Sequence, residues 1–331
     1  YDANGCFSGS SIVHQDTLYV FYTGNAADGR QTQCLALSRD GVHFHKHEGN
    51  PVIAGPPETV NPQQFRDPYV FRREGRFYMI AGAEGRDHRG QVIVYTSDDL
   101  LHWDYLHSIA DGDDSMGYMW ECPNLLFFQD RAVLIVSPQG MAKQPLFDSS
   151  GDTGYFVGRF DPVTGGYTHG PFHKMDYGFD FYAAQTTADA SGRYLLSAWM
   201  STWATPVPTD ACQWAGSLIL PREMRLKDDR LTFHPVRELA QALTPVTTVS
   251  GVICGGLSPM HGRSCRLQII AEDADFTIRL FCSADGQEYT ALSYCASAHT
   301  LSLDLSRSGE AARGTQSVAL PEAPDSVTLD I

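Results

Sequence analysis

Between residues 65 and 103 the chain reads Phe65-Arg66-Asp67-Pro68, then Phe77-Tyr78-Met79-Ile80-Ala81, then Val92-Ile93-Val94-Tyr95-Thr96-Ser97, and last Leu101-His102-Trp103. These are short apolar, β-branched and aromatic runs separated by turn residues such as Glu74-Gly75 and Asp98-Asp99, which is the chemistry of consecutive hairpin strands. Four such strands make one sheet of a repeating β architecture. The unit recurs on both sides. Leu18-Tyr19-Val20-Phe21-Tyr22, Cys34-Leu35-Ala36-Leu37-Ser38 and Val42-His43-Phe44 precede it; Ala132-Val133-Leu134-Ile135-Val136 and Tyr194-Leu195-Leu196-Ser197-Ala198 follow.

Each unit opens on a short polar motif. The four are Cys6-Phe7-Ser8-Gly9, Phe65-Arg66-Asp67-Pro68, Trp120-Glu121-Cys122-Pro123 and Asp180-Phe181-Tyr182-Ala183, with steps of 66 − 7 = 59, 121 − 66 = 55 and 181 − 121 = 60 residues. A period of this length points to a propeller, a solenoid or an array. In a propeller the first strand of each blade lines the central channel. The four motifs are therefore expected near one channel end, and two of them deliver a carboxylate.

At 331 residues the chain can bury a large core and hold two domains. Its net charge of −15 disfavours nucleic acid or an anionic membrane as partner. No run of 18 uncharged apolar residues occurs, so no membrane span is expected. The eight cysteines, at 6, 34, 122, 212, 254, 265, 282 and 295, form no Cys-x-x-Cys pair. They read as mostly buried thiols of a cytoplasmic protein rather than as zinc ligands or a disulfide framework.

The pattern changes near residue 235. Val236 to Leu243 reads as a short helix ending before Pro245. Beyond it, Cys265 to Ala271, Phe276 to Phe281 and Thr300 to Leu305 alternate apolar and polar residues, as half-buried antiparallel strands do. The expected organisation is a propeller over 1–235, a linker helix over 236–245 and a β-sandwich over 246–331.

Together the motifs resemble glycoside hydrolase family 32, the invertases and sucrose-6-phosphate hydrolases. Arg66-Asp67-Pro68 and Glu121-Cys122-Pro123 match two internal motifs of that family. Cys6-Phe7-Ser8-Gly9-Ser10, Asp176 to Ala183 and Leu220-Pro221-Arg222-Glu223 fit it in the right order. The resemblance implies an all-β fold, a five-bladed propeller followed by a β-sandwich, of which four blades are visible here. It implies retaining hydrolysis of the fructosyl bond of sucrose or sucrose 6-phosphate, a small-molecule sugar as partner, and no cofactor or metal. It gives no oligomeric state.

The resemblance also assigns roles. Glu121 is the implied general acid and base, and Asp67 the group that stabilises the transition state. Arg66 orients the carboxylates. Phe7, Ser8, Asp180, Tyr182 and Trp199 are the implied sugar-binding residues. The family nucleophile is an Asp in a Trp-x-Asn-Asp-Pro-Asn-Gly segment, and no Asn-Asp-Pro occurs in these 331 residues. The first blade and its nucleophile are therefore expected to be missing together, and the sandwich to be cut short. The alternative reading is a truncated, catalytically silent propeller that at most binds sugars. For a phosphorylated substrate the candidate cations are Arg86, His88 and Arg89, with Lys143 in another loop; solvated loop charge is the simpler reading of all four.

Overall fold

The computed structural model describes residues 1–142, 152–203, 205, 208–243, 266–272, 275–320 and 326–330. The described residues fall into two compact units. The first comprises Tyr1–Asp176, Asp180–Thr205 and Gly216–His234.

The first unit contains four antiparallel sheets, each a meander of four sequential strands. Sheet 1 is β1 (Cys6–His14), β2 (Thr17–Asn25), β3 (Gln31–Ser38) and β4 (His45–Lys46). Sheet 2 is β5 (Val60–Arg73), β6 (Arg76–Gly85), β7 (Gly90–Ser97) and β8 (Asp104–Asp111). Sheet 3 is β9 (Met119–Phe128), β10 (Arg131–Gln139), β11 (Gly154–Asp161) and β12 (Gly166–Lys174). Sheet 4 is β13 (Tyr182–Ala188), β14 (Tyr194–Trp199), β15 (Arg222–Lys227) and β16 (Arg230–Pro235).

Strand β6 shows why the middle runs are apolar throughout. Phe77, Met79 and Ala81 face a core shared with Phe21, Leu35 and Val60. Tyr78 and Ile80, pointing the opposite way, enter a core with Trp120, Leu125 and Leu134. Alternate side chains leave opposite faces of a strand, so a strand buried on both faces reads as a continuous apolar run. A third core holds Leu126, Val133 and Ile135 of sheet 3 with Ala184, Leu196 and Ala198 of sheet 4.

The fold expectation needs correcting here. Three cores join successive sheets, and none among the described residues joins the first sheet to the last. Among the described residues no sheet closes on itself. The arrangement is an open series of four-stranded meanders and not a five-bladed propeller. A sequence period specifies the repeating unit; closure depends on how units are joined around an axis, which the period does not encode.

The fourth strands also start later than the apolar runs suggested. Val42-His43-Phe44 and Leu101-His102-Trp103 lie before β4 and β8, in turns governed by an aspartate. Asp40 Oδ1 accepts from the amides of Val42 and His43 at 2.9 and 2.8 Å. Asp99 Oδ1 accepts from those of Leu101 and His102 at 2.8 Å each.

The second unit comprises Tyr177–Phe179, Pro206–Ala215 and Pro235–Ile331. It contains helix α1 (Arg237–Ala242), then β17 (Gln268–Glu272), β18 (Phe276–Leu280), β19 (Thr290–Cys295), β20 (Thr300–Asp304), β21 (Thr315–Ala319) and β22 (Ser326–Asp330). Strands β18 to β21 form one four-stranded sheet, and β17 pairs with β22 as a two-stranded ribbon. Tyr294, Val327 and Leu329 lead their common core. Among the described residues this is a sheet and a ribbon, not a sandwich of two full sheets; Pro245 and the start of the expected strand at Cys265 lie outside them.

Of the six described cysteines, all free thiols, only Cys34 and Cys122 are buried, so the reading of mostly buried thiols fails. Cys254 and Cys265 lie outside the described residues. No helix among those residues is long and apolar enough to cross a membrane.

Candidate active site

The first strand of every sheet in the first unit carries a β-bulge at its motif. In β5, Arg66 faces Gly82 and Tyr69 faces Ile80, so two residues oppose one. The same break falls in β9, where Glu121 faces Ser137 and Asn124 faces Ile135. It recurs in β13, between Tyr182 and Gln185. In β1 the shift falls between Phe7 and Gly9. The residues at the start of the three later bulges, Asp67, Cys122 and Ala183, have φ of 62°, 50° and 54°. The left-handed region is costly for a side chain with a Cβ, and such bulges re-aim the side chain beside them. The equivalent positions are therefore Phe7, Arg66, Glu121 and Tyr182. The last step is 182 − 121 = 61 residues, one more than counting to Phe181 gives.

Three of those equivalent side chains meet. Arg66 donates from Nε and from Nη2 to Glu121 Oε1, each at 2.8 Å. Tyr182 donates from its hydroxyl to Glu121 Oε2 at 2.5 Å. Gln139, at the end of β10, donates to the same oxygen at 2.7 Å. The side chains of Arg66 and Glu121 are 9% and 13% exposed. This is a nearly buried ion pair, tolerable because further donors satisfy the carboxylate.

Asp67 lies against this cluster. Its backbone N–H donates to Thr23 Oγ1, and its Oδ2 accepts from the backbone N–H of Cys122 at 2.9 Å. Burial pushes its carboxyl up to about 6; the Glu121 charge adds to the rise and Arg66 opposes it. Burial, with Asp67 and Glu121 nearby, also raises the Cys122 thiol. The Tyr182 hydroxyl is raised by burial first and by Glu121 second, so it stays protonated.

Gly82 makes the approach possible. A Cβ there would stand 1.9 Å from the Trp120 carbonyl oxygen. Only a residue without a side chain lets β9 lie this close to β6. That places Glu121 within reach of Arg66, whose Cα faces Gly82.

The other expected residues are less closely joined. Trp199 faces Tyr182 across β13 and β14, and its ring stands edge-on to Trp203 at 5.2 Å. Asp180 Oδ1 accepts from Thr205 Oγ1 at 2.7 Å. Phe7 and Ser8 are exposed at the β1 bulge. Arg222 donates to Asp176 at 2.9 Å and lies over the Phe181 ring, tying two motifs together.

The loop cations are engaged. Arg89 pairs with Asp114, His88 with Glu84 at 2.8 Å, and Arg86 donates to the Glu58 carbonyl. Lys143 lies outside the described residues. No cluster of three or more His, Cys, Asp or Glu that could hold a metal occurs among the described residues.

Sequence reasoning missed the neutral residues that fix the charged ones. Gln31 Oε1 accepts from the Phe65 amide at 2.7 Å and from Arg66 at 3.4 Å. Gln64 accepts from Arg66 at 2.5 Å. Thr23 donates to Gln33, which in turn donates to the Phe65 carbonyl. Tyr118 donates to Gln139 Oε1 at 2.8 Å, which leaves the Gln139 NH₂ aimed at Glu121. The available signal was polar residues inside otherwise apolar strands: Thr23 in β2 and Gln31 with Gln33 in β3.

The family model for the glycosyl hydrolases family 32 N-terminal domain matches residues 1–235. The chain belongs to glycosyl hydrolase family 32. It is 43% identical over 251 residues to a sucrose-6-phosphate hydrolase of Bacillus subtilis, covering 72% of this chain and 52% of that protein. To a raffinose invertase of Escherichia coli it is 38% identical over 261 residues, covering 74% and 54%. The chain thus spans about half the length of the curated relatives it matches. Among solved structures, the sucrose-6-phosphate hydrolase of Lactobacillus gasseri superposes with a TM-score of 0.90 at 28% identity, over 99% of this chain and 69% of that one. A β-fructofuranosidase of Bombyx mori gives 0.83 at 31% identity, over 98% and 70%.

Proposed function

We propose that this protein takes part in retaining hydrolysis of the fructosyl glycosidic bond of sucrose or sucrose 6-phosphate. The supporting observation is the convergence of Arg66, Gln139 and Tyr182 on one nearly buried carboxylate, Glu121, beside a second, Asp67, in a member of family 32. Relatives described as sucrose-6-phosphate hydrolase and as invertase point to the same substrate class.

In this reading Glu121 protonates the leaving glycosidic oxygen and then takes a proton from the attacking water. Four donors hold it in place, and they stabilise the negative charge it gains as the proton leaves. Asp67 accepts from fructosyl hydroxyls and offsets positive charge at the anomeric carbon. Its own Oδ2 is pinned by the Cys122 amide, which fixes its orientation. Arg66 sets the spacing of the two carboxylates. Phe7, Ser8, Asp180 and Trp199 contribute to the sugar pocket, and Tyr182 supports it through its bond to Glu121. The family pattern puts the attacking Asp in Asn-Asp-Pro, which does not occur among these residues, so the attack is assigned to none of them.

The test is release of fructose from sucrose and from sucrose 6-phosphate by the full-length gene product and its Glu121→Gln variant. Turnover of either substrate that collapses in the variant supports the reading. No turnover of either by the full-length product, or equal turnover by the variant, removes it. The ratio of kcat/KM for the two substrates decides between them.

A further inference from the structure

The donors on Glu121 are not alike. Arg66 is a permanent cation and can only donate. Gln139 donates from its NH₂ to Glu121 Oε2 while its carbonyl end accepts from Tyr118. Tyr182 has one hydroxyl proton and two acceptors in reach. Glu121 Oε2 lies at 2.5 Å and the Ser137 carbonyl oxygen at 3.1 Å. The Ser137 carbonyl is fixed, because Ser137 is the ladder partner of Glu121 between β9 and β10. The Tyr182 ring is 1% exposed, so its hydroxyl oxygen stays in place while the proton turns about the C–O bond.

We propose that the Tyr182 hydroxyl is a two-position donor that follows the charge of Glu121, giving its hydrogen bond to Oε2 when the carboxylate is ionised and to the Ser137 carbonyl when the carboxyl is protonated. This rests on the reading of Glu121 as the acid and base. A group in that role carries a proton at one step and none at the next. Two fixed donors on Oε2 would favour the anion throughout and resist reprotonation. With one donor that can be withdrawn, the Tyr182 hydroxyl has an acceptor in both states. Tyr182 keeps its own proton in both states. The proton that moves runs from Glu121 to the glycosidic oxygen, and later from water to Glu121. Tyr182 acts through Glu121 and is a positioning residue.

The charged and titratable groups facing Glu121 are Arg66 and Asp67 from β5, Tyr182 from β13 and Cys122 beside it on β9. The Cys122 thiol can also turn, but its bonds run to Asp67 and Gln185; Tyr182 is the one of these groups that donates to Glu121 and can redirect that bond without a change in its own charge.

The experiment compares full-length wild type with Tyr182→Phe, which keeps the ring and removes the hydroxyl. Two readouts are taken: the pH profile of kcat/KM on sucrose or sucrose 6-phosphate, and the carboxyl-carbon titration of Glu121 by ¹³C NMR, assigned with Glu121→Gln. Losing the anion-state donor should move both the alkaline limb and the titration about one pH unit upward, and lower kcat about tenfold. A lowered kcat with limb and titration unmoved overturns the proposal. Should Tyr182→Phe not fold, 3,5-difluorotyrosine at position 182 strengthens the donor and should move both midpoints downward; unmoved midpoints overturn it equally. A protein that shows the titration shift but releases no fructose would contradict the proposed function and leave this inference standing.

Discussion

Two short patterns repeat along this chain, and they differ in where their hydrogen bonds go. One is Ser38-x-Asp40-x-x-His43, which returns as Ser97-x-Asp99-x-x-His102. The aspartate accepts from the two amides that lie two and three residues on, and pairs with a histidine ring nitrogen at 2.7 Å. Every one of those bonds stays within a few residues, at the surface. The other is the bulge motif with Arg66, Glu121 and Tyr182 at equivalent places. Its bonds join residues 55 and 61 positions apart, and the groups are nearly buried. Repetition alone therefore does not mark function. The turn is repeated because each meander needs the same local device; the bulge is repeated because several strands must aim side chains at one point.

The largest effect that this contrast predicts is at Glu121. Glu121→Gln should lower kcat/KM of the full-length protein on sucrose-type substrates by at least about 10²-fold. Aryl fructosides with good leaving groups should lose less where glycosylation limits the rate, because their oxygen needs less protonation. Equal losses on both classes would take Glu121 out of the acid role.

Gly82→Ala comes next. The added methyl would meet the Trp120 carbonyl, and the backbone has to give way. Overpacking of this kind costs about 1–3 kcal/mol, and here it also separates β9 from β6. Urea unfolding should show the loss, and kcat should fall while Glu121 remains present. A variant with wild-type stability and turnover would mean that the close approach of β9 is not what sets the Arg66–Glu121 distance.

Part of this was legible in the residues and part was not. The motifs carrying Arg66, Asp67 and Glu121 could be read because Asp-Pro and Cys-Pro after a charged residue is a restricted pattern, and its phase repeats. The meanders could be read because both-face burial leaves long apolar runs, as in β6. Gln139, Gln31 and Thr23 were invisible, since a neutral amide or hydroxyl in a strand has no signature until its partner is known. The register of the fourth motif slipped by one because Phe181 is core and Tyr182 is the aimed residue, and both are aromatic. The fourth strands were set too early because Asp40 and Asp99 hold their following residues in turns. Closure into a ring was an inference from the unit to the assembly, and the open series of cores corrects it.

Asp67→Asn should separate activity from stability. Asn keeps an acceptor for the Cys122 amide and removes a buried charge. The folded pKa of Asp67 lies at about 6, above its ordinary 3.8. A raised carboxyl contributes stability that is complete below the unfolded value and lost as pH rises through the folded one. The wild type should therefore lose stability between about pH 4 and pH 6 through this group. The loss is on the order of 2–3 kcal/mol at the most. The Asn variant should lack that slope, be more stable than wild type at pH 7 and gain nothing below about pH 4, while fructose release falls. Urea unfolding at several pH values reads this directly. A variant less stable than wild type at pH 7 would show that the Asp67 charge is held favourably by Arg66.

Asp99→Ala should have the smallest effect, and it completes the contrast. The carboxylate gives up its bonds from the amides of Leu101 and His102, its pairing with the His102 ring and its bond from the buried Ser97 hydroxyl. The amides and the ring reach water, so their partner is replaced, and Ser97 Oγ still accepts from the Leu100 amide. The ion pair is exposed, with side chains 89% and 48% accessible, and pairs of that kind contribute little. What remains is the ordering of one turn, worth about 0.5–1 kcal/mol. Trp103 limits the damage further. Its ring packs edge-on against Phe21 at 5.6 Å, and its indole donates to the Leu100 carbonyl, so the end of the turn stays anchored without Asp99. Stability in urea should fall by that small amount and kcat/KM should stay within about twofold of wild type, since no bond of the turn reaches the bulges. A loss of turnover as large as that of Gly82→Ala would mean that the surface turns transmit to the buried cluster, and the division between local and crossing repeats would not hold.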